Sequence, residues 1–490
     1  MRSAGILLPV SSVPSPYGIG TFGRALYEWI DFLHAAGQSY WQTLPLGPTG
    51  FGDSPYQSFS AFAGNPYFID LDMLCEEGLL SHSDFSDIKW GRSDKRVDYD
   101  KIYLHREAVL RKAFSSFSYE NVLDDFAGQN HWFPDYGLFM AIKKTQGGRS
   151  WEEWEEPLRM RDPDALARAG EELKDDIRYH AFVQYQFQKQ WLALRGYAND
   201  NGIRIIGDAP IYVSLDSADV WANRELFQLD ENAVPTEVSG CPPDGFSEIG
   251  QVWGNPLYDW GLMAESGFEW WIDRLRCNFG LFDVLRIDHF RGLESYYAIP
   301  YGANTAKEGR WLPGPGMDFV SAVKTALPDA KIIAENLGFL TDKVAALLEA
   351  SGYPGMKLVQ FAFDTRASEA DGPDTYDERS VIYPGTHDND TLKGWIKTAP
   401  GAAVKNAKKY FGVRWKRQLP EEMIKLTMKC DAEQIIIPMQ DWLGLGSEAR
   451  INTPGDAGGD NWRWRLEKGS LTDGLAKSIA QTTKEYKRQV

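Results

Sequence analysis

Cysteine is scarce in this chain, and long apolar segments are missing. The four cysteines are scattered over 490 residues without a C-x-x-C pair, so the sequence indicates neither a zinc site nor a disulfide framework. We therefore expect reduced thiols and a cytoplasmic protein. The apolar run near the N-terminus is too short for the core of a signal peptide. No segment approaches the roughly 18 apolar residues of a membrane-spanning helix, so we expect no membrane association.

Basic residues are also fewer than acidic ones. The chain carries 52 lysines and arginines against 69 aspartates and glutamates, which gives a net charge of −17. An acidic surface repels phosphate groups, so we expect neither nucleic acids nor anionic membranes as partners. A neutral substrate is compatible with this charge.

Aromatic residues, in contrast, are abundant. They make up 13% of the chain and include 18 tryptophans. Large aromatic side chains fill hydrophobic cores, but their faces also suit the apolar faces of sugars. Composition alone favours the role in the core.

Short apolar runs that end in polar or acidic residues recur along the sequence. Such runs are typical of strands buried on both faces of a parallel sheet. Seven of them lie at residues 39–46, 203–208, 281–288, 331–335, 357–361, 380–383 and 434–440. Amphipathic stretches predict intervening helices at 22–36, 181–199, 267–279, 318–326 and 341–350. About seven strands alternating with helices favour an α/β fold, the (β/α)8 TIM barrel, over an open doubly wound sheet.

The whole chain, 1–490, is assigned to a single catalytic barrel with insertions. Residues 75–178 are charged, rich in tryptophan and mainly helical in pattern, which predicts a helical insertion after an early strand. The Pro- and Gly-rich stretches 239–256 and 300–316 are interpreted as active-site loops inserted in the barrel. Long ordered loops on a barrel are often functional.

A glycine pattern, G-x-G-x-x-G, occurs at residues 18–23. A dinucleotide site would require a strand directly before it, but the proline-containing segment 11–16 precedes it here. We therefore interpret the glycines as a turn that opens a helix near residue 22, and we expect no cofactor.

Four acidic residues fall at or just after the ends of predicted strands: Asp208, Asp288, Glu335 and Asp388. In a barrel, the carboxyl ends of the strands face the active-site mouth. Each acid taken alone is equally compatible with a cap on the following helix. The repeated placement of all four favours an active site.

This set of acids suits the cleavage of a glycosidic bond with retention. That reaction needs two carboxyl groups about 5–5.5 Å apart, one ionised and one protonated. Arg286 precedes Asp288 by two residues and so shares its side of the strand, where it can hold Asp288 ionised. Glu335 follows the apolar run 332–334 without an adjacent base, so we expect a raised pKa and the role of general acid.

The cluster His387-Asp388-Asn389-Asp390 has three interpretations. A metal site is one, but adjacent side chains diverge and no other cluster completes a ligand set, so we expect no metal. Hydrogen bonding to sugar hydroxyls with support of a cationic transition state is favoured. A purely structural turn rich in Asp and Asn is the third.

Several long strings carry a family resemblance that spans nearly the whole chain. They lie at 53–66 (DSPYQSFSAFAGNP), 241–247 (CPPDGFS), 250–256 (GQVWGNP), 450–455 (RINTPG) and 461–465 (NWRWR). The sequence resembles the 4-α-glucanotransferases called amylomaltases or disproportionating enzymes, relatives of the α-amylases. Segments 207–210, 285–292, 334–338 and 385–391 resemble the four regions shared with α-amylases. Cys241 stands where a small residue such as threonine is expected in many relatives.

The resemblance implies roles for individual residues. Asp288 is implied to be the nucleophile, Glu335 the acid/base and Asp388 the stabiliser of the transition state, with Asp390 as the alternative to Asp388. The implied substrate-binding residues are Tyr56, Asp208, Asp244, Phe246, Trp253, Arg286, His289, Arg291, Phe361, His387 and Asp390.

The expected reaction is transfer of an α-1,4-glucan segment to the 4-hydroxyl of an acceptor through a covalent glycosyl-enzyme. Maltooligosaccharides and glucans derived from starch or glycogen are the expected donors, and a glucan or glucose is the acceptor. The residues by themselves lead only to retaining glycosidase chemistry. An α-amylase-like hydrolase is therefore the alternative, with a non-catalytic glucan-binding protein as a third hypothesis. The resemblance alone favours the transferase.

Overall fold

Eight short parallel strands form the central barrel of the computed structural model, which describes residues 2–243, 248–338, 340–364, 372–456 and 458–489. In sequence order the barrel strands are β1 (Ser3–Leu7), β2 (Tyr40–Gln42), β3 (Arg204–Ala209), β6 (Val284–Ile287), β9 (Ile332–Ala334), β10 (Met356–Leu358), β11 (Val381–Tyr383) and β12 (Gln434–Pro438). They pair in the order β10–β11–β12–β1–β2–β3–β6–β9. A parallel bridge between Ala334 and Gly355 joins the two ends of this order and closes the ring. The predicted TIM barrel is confirmed.

A second, antiparallel sheet lies in the connections after β3 and β6. It contains β4 (Glu237–Cys241), β5 (Gln251–Pro256), β7 (Ser295–Pro300) and β8 (Arg310–Pro313), paired in the order β5–β4–β7–β8. This corrects the interpretation of 239–256 and 300–316 as loops, since both stretches include strands. Their hydrogen bonds join segments far apart in sequence, for example Val238 with Ile299, so local composition gives no sign of them.

Helices follow most barrel strands and cover the outside of the ring. Their bounds are α1 (Arg24–Ala35), α2 (Leu71–Glu76), α3 (Tyr99–Ser115), α4 (Glu120–Gln129), α5 (Phe133–Thr145), α6 (Glu156–Arg159), α7 (Pro163–Glu172), α8 (Lys174–Asp200), α9 (Ala218–Ala222), α10 (Trp260–Glu265), α11 (Glu269–Leu281), α12 (Gly316–Ala326), α13 (Asp342–Ser351), α14 (Leu392–Thr398), α15 (Gly401–Phe411), α16 (Leu419–Lys429), α17 (Met439–Trp442) and α18 (Asp473–Glu485). Threonine side chains cap α13, α14 and α18, where each accepts a first-turn N–H. Such caps satisfy N–H groups that the helix itself leaves unpaired.

All seven predicted strands overlap barrel strands, and the eighth, β1, was not predicted. Its sequence, SAGIL, includes a glycine and an alanine, which have little intrinsic preference for strands. The barrel nevertheless requires Gly5, because an added Cβ would lie 2.6 Å from Cβ of Tyr40 and 2.7 Å from Cδ1 of Ile436. β1 therefore depends on close approach of its two neighbours, β2 and β12.

Tryptophan fills much of the core. Trp29, Trp41, Trp151, Trp191, Trp221 and Trp271 are fully buried. Trp191 packs against Trp41 on β2 and against Phe282, just before β6, so α8 is anchored to the outside of the barrel. For these residues the role in the core is the correct one.

The segment 75–178 contains α3 to α7 and the start of α8. The glycines at 18–23 lead into α1, with Gly23 at its N-cap position. Within the described part of the chain, no helix combines the length and the apolar character needed to cross a membrane.

Candidate active site at the carboxyl ends of the strands

The barrel brings Asp288 and Glu335 to neighbouring positions. Ile287, the last residue of β6, pairs with Ala334, the last residue of β9, and each acid comes next in its chain. Adjacent strands lie about 4.8 Å apart. The Glu335 N–H donates to the carbonyl of Ile287 at 3.0 Å, and Phe290 N–H donates to the carbonyl of Glu335 at 2.9 Å. The two acids therefore stand side by side at the barrel mouth.

Arg286 connects Asp288 with Asp208. On the neighbouring strand β3, Asp208 pairs with Arg286 in register. The Arg286 guanidinium binds Asp208 through two hydrogen bonds, Nη2 to Oδ2 at 2.6 Å and Nε to Oδ1 at 3.0 Å. Nη2 also donates to Oδ1 of Asp288 at 2.8 Å. Arg286 and Asp208 are buried, whereas the Asp288 side chain is 27% exposed, so Asp288 is the member of this trio that solvent can reach.

Tyr56 and His387 form the adjoining wall. The Tyr56 hydroxyl donates to Oδ2 of Asp208 at 2.6 Å and lies 2.9 Å from Nε2 of His387. The two rings stack with centroids 5.5 Å apart. Burial raises the pKa of Tyr56 and lowers that of His387, so the phenol stays protonated and the imidazole stays neutral. The wall therefore offers hydrogen bonds without adding a net charge.

Two backbone amides hold Glu335. Its Oε1 accepts the N–H of Leu337 and its Oε2 accepts the N–H of His289, both at 2.8 Å. His289 has a φ of +49°, a left-handed conformation that costs an L-residue roughly 1–2 kcal/mol. Burial raises the pKa of Glu335, against the opposing effects of Arg286 and the two amides. This is the direction expected for a general acid.

Burial also raises the pKa of Asp288, and the nearby carboxylates of Asp208, Glu335 and Asp388 add to that effect. Arg286, in direct contact, opposes it. Asp288 and Glu335 therefore titrate as an interacting pair, in which the acids compete for protons.

Asp388 lies in the turn between β11 and α14. Its Oδ2 is 3.3 Å from Nε2 of His387, and its Oδ1 accepts a hydrogen bond from Nδ2 of Asn452 at 2.6 Å. Nη2 of Arg450 donates to the Asp388 carbonyl at 2.7 Å. Asn452 and Arg450 were not among the predicted site residues. Their signal in the sequence was the string 450–455, which supported the family resemblance but received no role.

The structure separates Asp390 from Asp388. Oδ2 of Asp390 accepts hydrogen bonds from Ser447 at 2.7 Å and Thr398 at 3.1 Å, and the carboxylate packs closely over Gly394 in α14. Asp390 is buried under this helix. Asp390 is therefore engaged in the packing of α14, whereas the Asp388 side chain is partly exposed.

The remaining predicted residues lie on surrounding elements. Trp253, on β5, meets the ring of His289 edge to face with centroids 4.9 Å apart, so it borders the cluster. The Arg291 guanidinium lies over the ring of Trp311 on β8, at 3.6 Å from its centroid. Phe361 begins the 3-10 turn Phe361–Phe363 after β10. The predicted residues Asp244 and Phe246 lie outside the described residues.

Comparisons with known proteins agree with one another. A family model described as 4-alpha-glucanotransferase matches residues 8–472. The 4-alpha-glucanotransferase of Clostridium butyricum is 45% identical over 487 residues, which are 98% of this chain and 99% of the relative. That of Thermus thermophilus is 46% identical over 485 residues, 96% of each chain. This chain belongs to the 4-α-glucanotransferase family.

The structure supports the same family. An amylomaltase from Streptococcus agalactiae, solved in complex with acarbose, matches with a TM-score of 0.97 and 40% identity over 100% of both chains. The chain is thus a 4-α-glucanotransferase, an enzyme that transfers glycosyl groups of α-1,4-glucans. The resemblance noted in the sequence is confirmed. The α-amylase-like hydrolase is not favoured, and neither is the glucan-binding protein without activity.

Proposed function

We propose that Asp288 is the nucleophile and Glu335 the general acid/base of a two-step transfer with retention. The observation that carries this assignment is their placement directly after paired residues on neighbouring strands. Asp288 attacks the anomeric carbon while Glu335 protonates the departing 4-oxygen, which leaves a covalent β-glycosyl-enzyme. Glu335, now a base, takes the proton from the 4-hydroxyl of the acceptor as that oxygen displaces Asp288. Two inversions give overall retention.

The division of protons between the two acids follows from their contacts. When two carboxyls interact, the negative charge settles on the one closer to a cation. Asp288 is in direct contact with Arg286, at 2.8 Å. Glu335 accepts two amide hydrogen bonds instead, and each of its oxygens keeps a second lone pair that can carry the transferable proton. Asp288 is therefore the ionised nucleophile and Glu335 the acid.

Asp388 and Arg286 stabilise the transition state. Positive charge builds on the anomeric carbon as the bond breaks, and a nearby carboxylate stabilises it without reorganisation. Asp388 contributes to the same local field as Asp288 and Glu335. Tyr56 contacts the sugar at the cleavage point, and the buried Asp208 and His387 orient its hydroxyl.

Selection of a glucan acceptor over water requires that water be kept away from the intermediate. The stretch 239–256, with Asp244 and Phe246, is the proposed cover, and Trp253 and Phe361 offer aromatic faces to the acceptor. Trp253 already borders His289 and hence the cluster. Donors are maltooligosaccharides or glucans derived from starch or glycogen, and glucose serves as an acceptor. Cysteine is scarce, with four in 490 residues and no C-x-x-C pair, which supports the proposed cytoplasmic location.

Incubation with maltotriose tests the proposal. Transfer yields free glucose together with chains longer than the substrate, whereas hydrolysis yields only shorter products. Asp288→Asn and Glu335→Gln should each remove both product classes while the variants keep the parent's thermal unfolding temperature. Parent-level transfer by Asp288→Asn would overturn the assignment of the nucleophile.

A further inference from the structure

We propose that residues 450–452 position Asp388, and that Asn452 is a positioning residue of the transfer reaction. The inference rests on the proposed role of Asp388 and extends it to a segment that follows β12, the last barrel strand. The Arg450-Ile451-Asn452 segment then contributes to catalysis as well as to folding.

Three hydrogen bonds join this segment to Asp388 and its neighbour His387, and a fourth lies within the segment. Nδ2 of Asn452 donates to Oδ1 of Asp388 at 2.6 Å, and the Asn452 N–H donates to the carbonyl of His387 at 3.1 Å. Nη2 of Arg450 donates to the Asp388 carbonyl at 2.7 Å. Its Nε donates to the carbonyl of Asn452 at 2.7 Å, which braces the segment itself. Asn452 and Arg450 therefore hold the side chain and the backbone of Asp388 from the same side.

The hydrogen bonds within the turn hold its backbone, where the Asp388 N–H donates to Oγ1 of Thr386 at 3.3 Å and the Thr386 N–H donates to Oδ1 of Asn389 at 2.9 Å. Asp388 comes five residues after the end of β11, and its side chain is 38% exposed. The Asn452 amide holds one oxygen, Oδ1, and leaves Oδ2 on the side of His387. A carboxylate that stabilises a transition state must be held within a fraction of an ångström, and a misplacement of about 1 Å can cost about 100-fold in rate. Asn452 supplies that constraint.

Arg450 cannot be replaced by a simple positive charge. Its planar guanidinium donates to two carbonyls at once, those of Asp388 and Asn452. A lysine ammonium lacks this fork. The contact therefore works as a brace for the backbone.

The loop that carries Asn452 has its own, separate network, which offers a matched control. Asn461 accepts the N–H of Thr453 at 2.9 Å and donates to the carbonyl of Asp456 at 2.7 Å. Asn461→Ala disturbs the order of the loop without removing a contact to Asp388. If kcat falls in the Asn452 variants but not in Asn461→Ala, the loss comes from the contact with Asp388 and not from disorder of the loop.

Steady-state kinetics with an activated maltosyl donor test the proposal, because residual turnover stays measurable. Asn452→Ala should lower kcat about 10- to 100-fold, the range for a lost hydrogen bond to a charged group, and change KM less than about threefold. Asn452→Asp has the same shape but no donor, and should lose at least as much. Asn461→Ala should keep kcat within about twofold of the parent. Thermal unfolding checks that all variants fold.

A double-mutant cycle supplies the decisive comparison. If Asn452 acts through Asp388, adding Asn452→Ala to Asp388→Asn lowers kcat by less than about threefold further. An equal loss in both backgrounds, or a rise in KM with unchanged kcat, overturns the positioning role. Parent-level activity in Asn452→Ala beside an inactive Asp388→Asn overturns this inference alone. Parent-level activity in Asp388→Asn removes the proposed role of Asp388 and the inference with it.

Discussion

The Arg286 guanidinium donates two hydrogen bonds to the Asp208 carboxylate, at 2.6 and 3.0 Å, and both side chains are buried. One nitrogen, Nη2, is shared with Asp288 at 2.8 Å. A buried cation with one buried and one accessible carboxylate leaves a net negative charge at the accessible position. This arrangement favours the ionised form of Asp288, the proposed nucleophile, in a site whose burial favours the neutral acid.

Arg286→Lys should lower kcat/KM at least 100-fold, because an ammonium cannot bind two carboxylates in the same geometry. The acid limb of the pH–rate profile should also move to higher pH, because an ammonium that cannot contact Asp208 and Asp288 together opposes the burial-raised pKa of Asp288 less than the guanidinium does. Kinetics on maltotriose from pH 4 to 9 measure both effects. Arg204→Lys, at the exposed start of β3, is the matched control. A variant with parent kcat/KM would contradict the role of Arg286.

Glu335→Gln should nearly abolish turnover of maltotriose but spare a glycosyl fluoride donor, whose leaving group needs no proton. Rates of formation of the glycosyl-enzyme from the two donors are the measurement. Asp288→Asn should fail with both donors. Equal losses on both donors in Glu335→Gln would remove its role as an acid.

The pH dependence of the parent should be bell-shaped. Activity requires one ionised and one protonated carboxyl, so it falls at low pH as Asp288 gains a proton and at high pH as Glu335 loses its own. Because burial raises the pKa of Glu335, the alkaline fall occurs above the usual range of a glutamate. With the fluoride donor the alkaline limb of glycosylation should disappear and the acid limb should remain. An alkaline limb unchanged by the donor would assign it to another group.

Asp441→Asn should stabilise the protein at alkaline pH. Burial raises the pKa of Asp441 from 3.8 to about 7. The folded state therefore holds a proton that the unfolded state releases, and stability falls as pH rises from about 4 to about 7. In the parent, the Leu392 N–H donates to Oδ1 of Asp441 at 2.7 Å. An asparagine oxygen can accept the same hydrogen bond but carries no buried charge. Unfolding free energies should favour the variant by about 2–4 kcal/mol at pH 8 and by little near pH 4.

Asp329→Asn, at an exposed position, controls for the change in net charge and should leave the difference between pH 4 and pH 8 unaltered. If Asp441→Asn showed the same stability difference from the parent at both pH values, the buried titration would be excluded.

Activity should not depend on a metal ion. Among the described residues, no three His, Cys, Asp or Glu side chains form a group able to hold one. Dialysis against a chelator should leave transfer on maltotriose at the parent rate. Lost activity that calcium restores would contradict the prediction.

Much of this architecture follows from local sequence. Seven of the eight barrel strands were predicted, because continuous β-branched runs must be buried on both faces. The placement of Asp208, Asp288 and Glu335 followed as well, since parallel strands in a barrel all end at the same face. Spacing alone does not separate Asp388 from Asp390, because two acids two residues apart in a turn give no sign of which side chain faces the site.

The sequence by itself determined the class of fold, the family and the set of acids available for chemistry. Tertiary structure decided which of them meet. Asn452 reaches Asp388 across 64 positions of chain, β4 pairs with β7 in a second sheet, and β1 exists because Gly5 lets two neighbouring strands approach. The physical reason is common to all three. These contacts join residues far apart in the sequence, which meet only in the folded protein, and the conformational preference of a local segment carries no information about its distant neighbours.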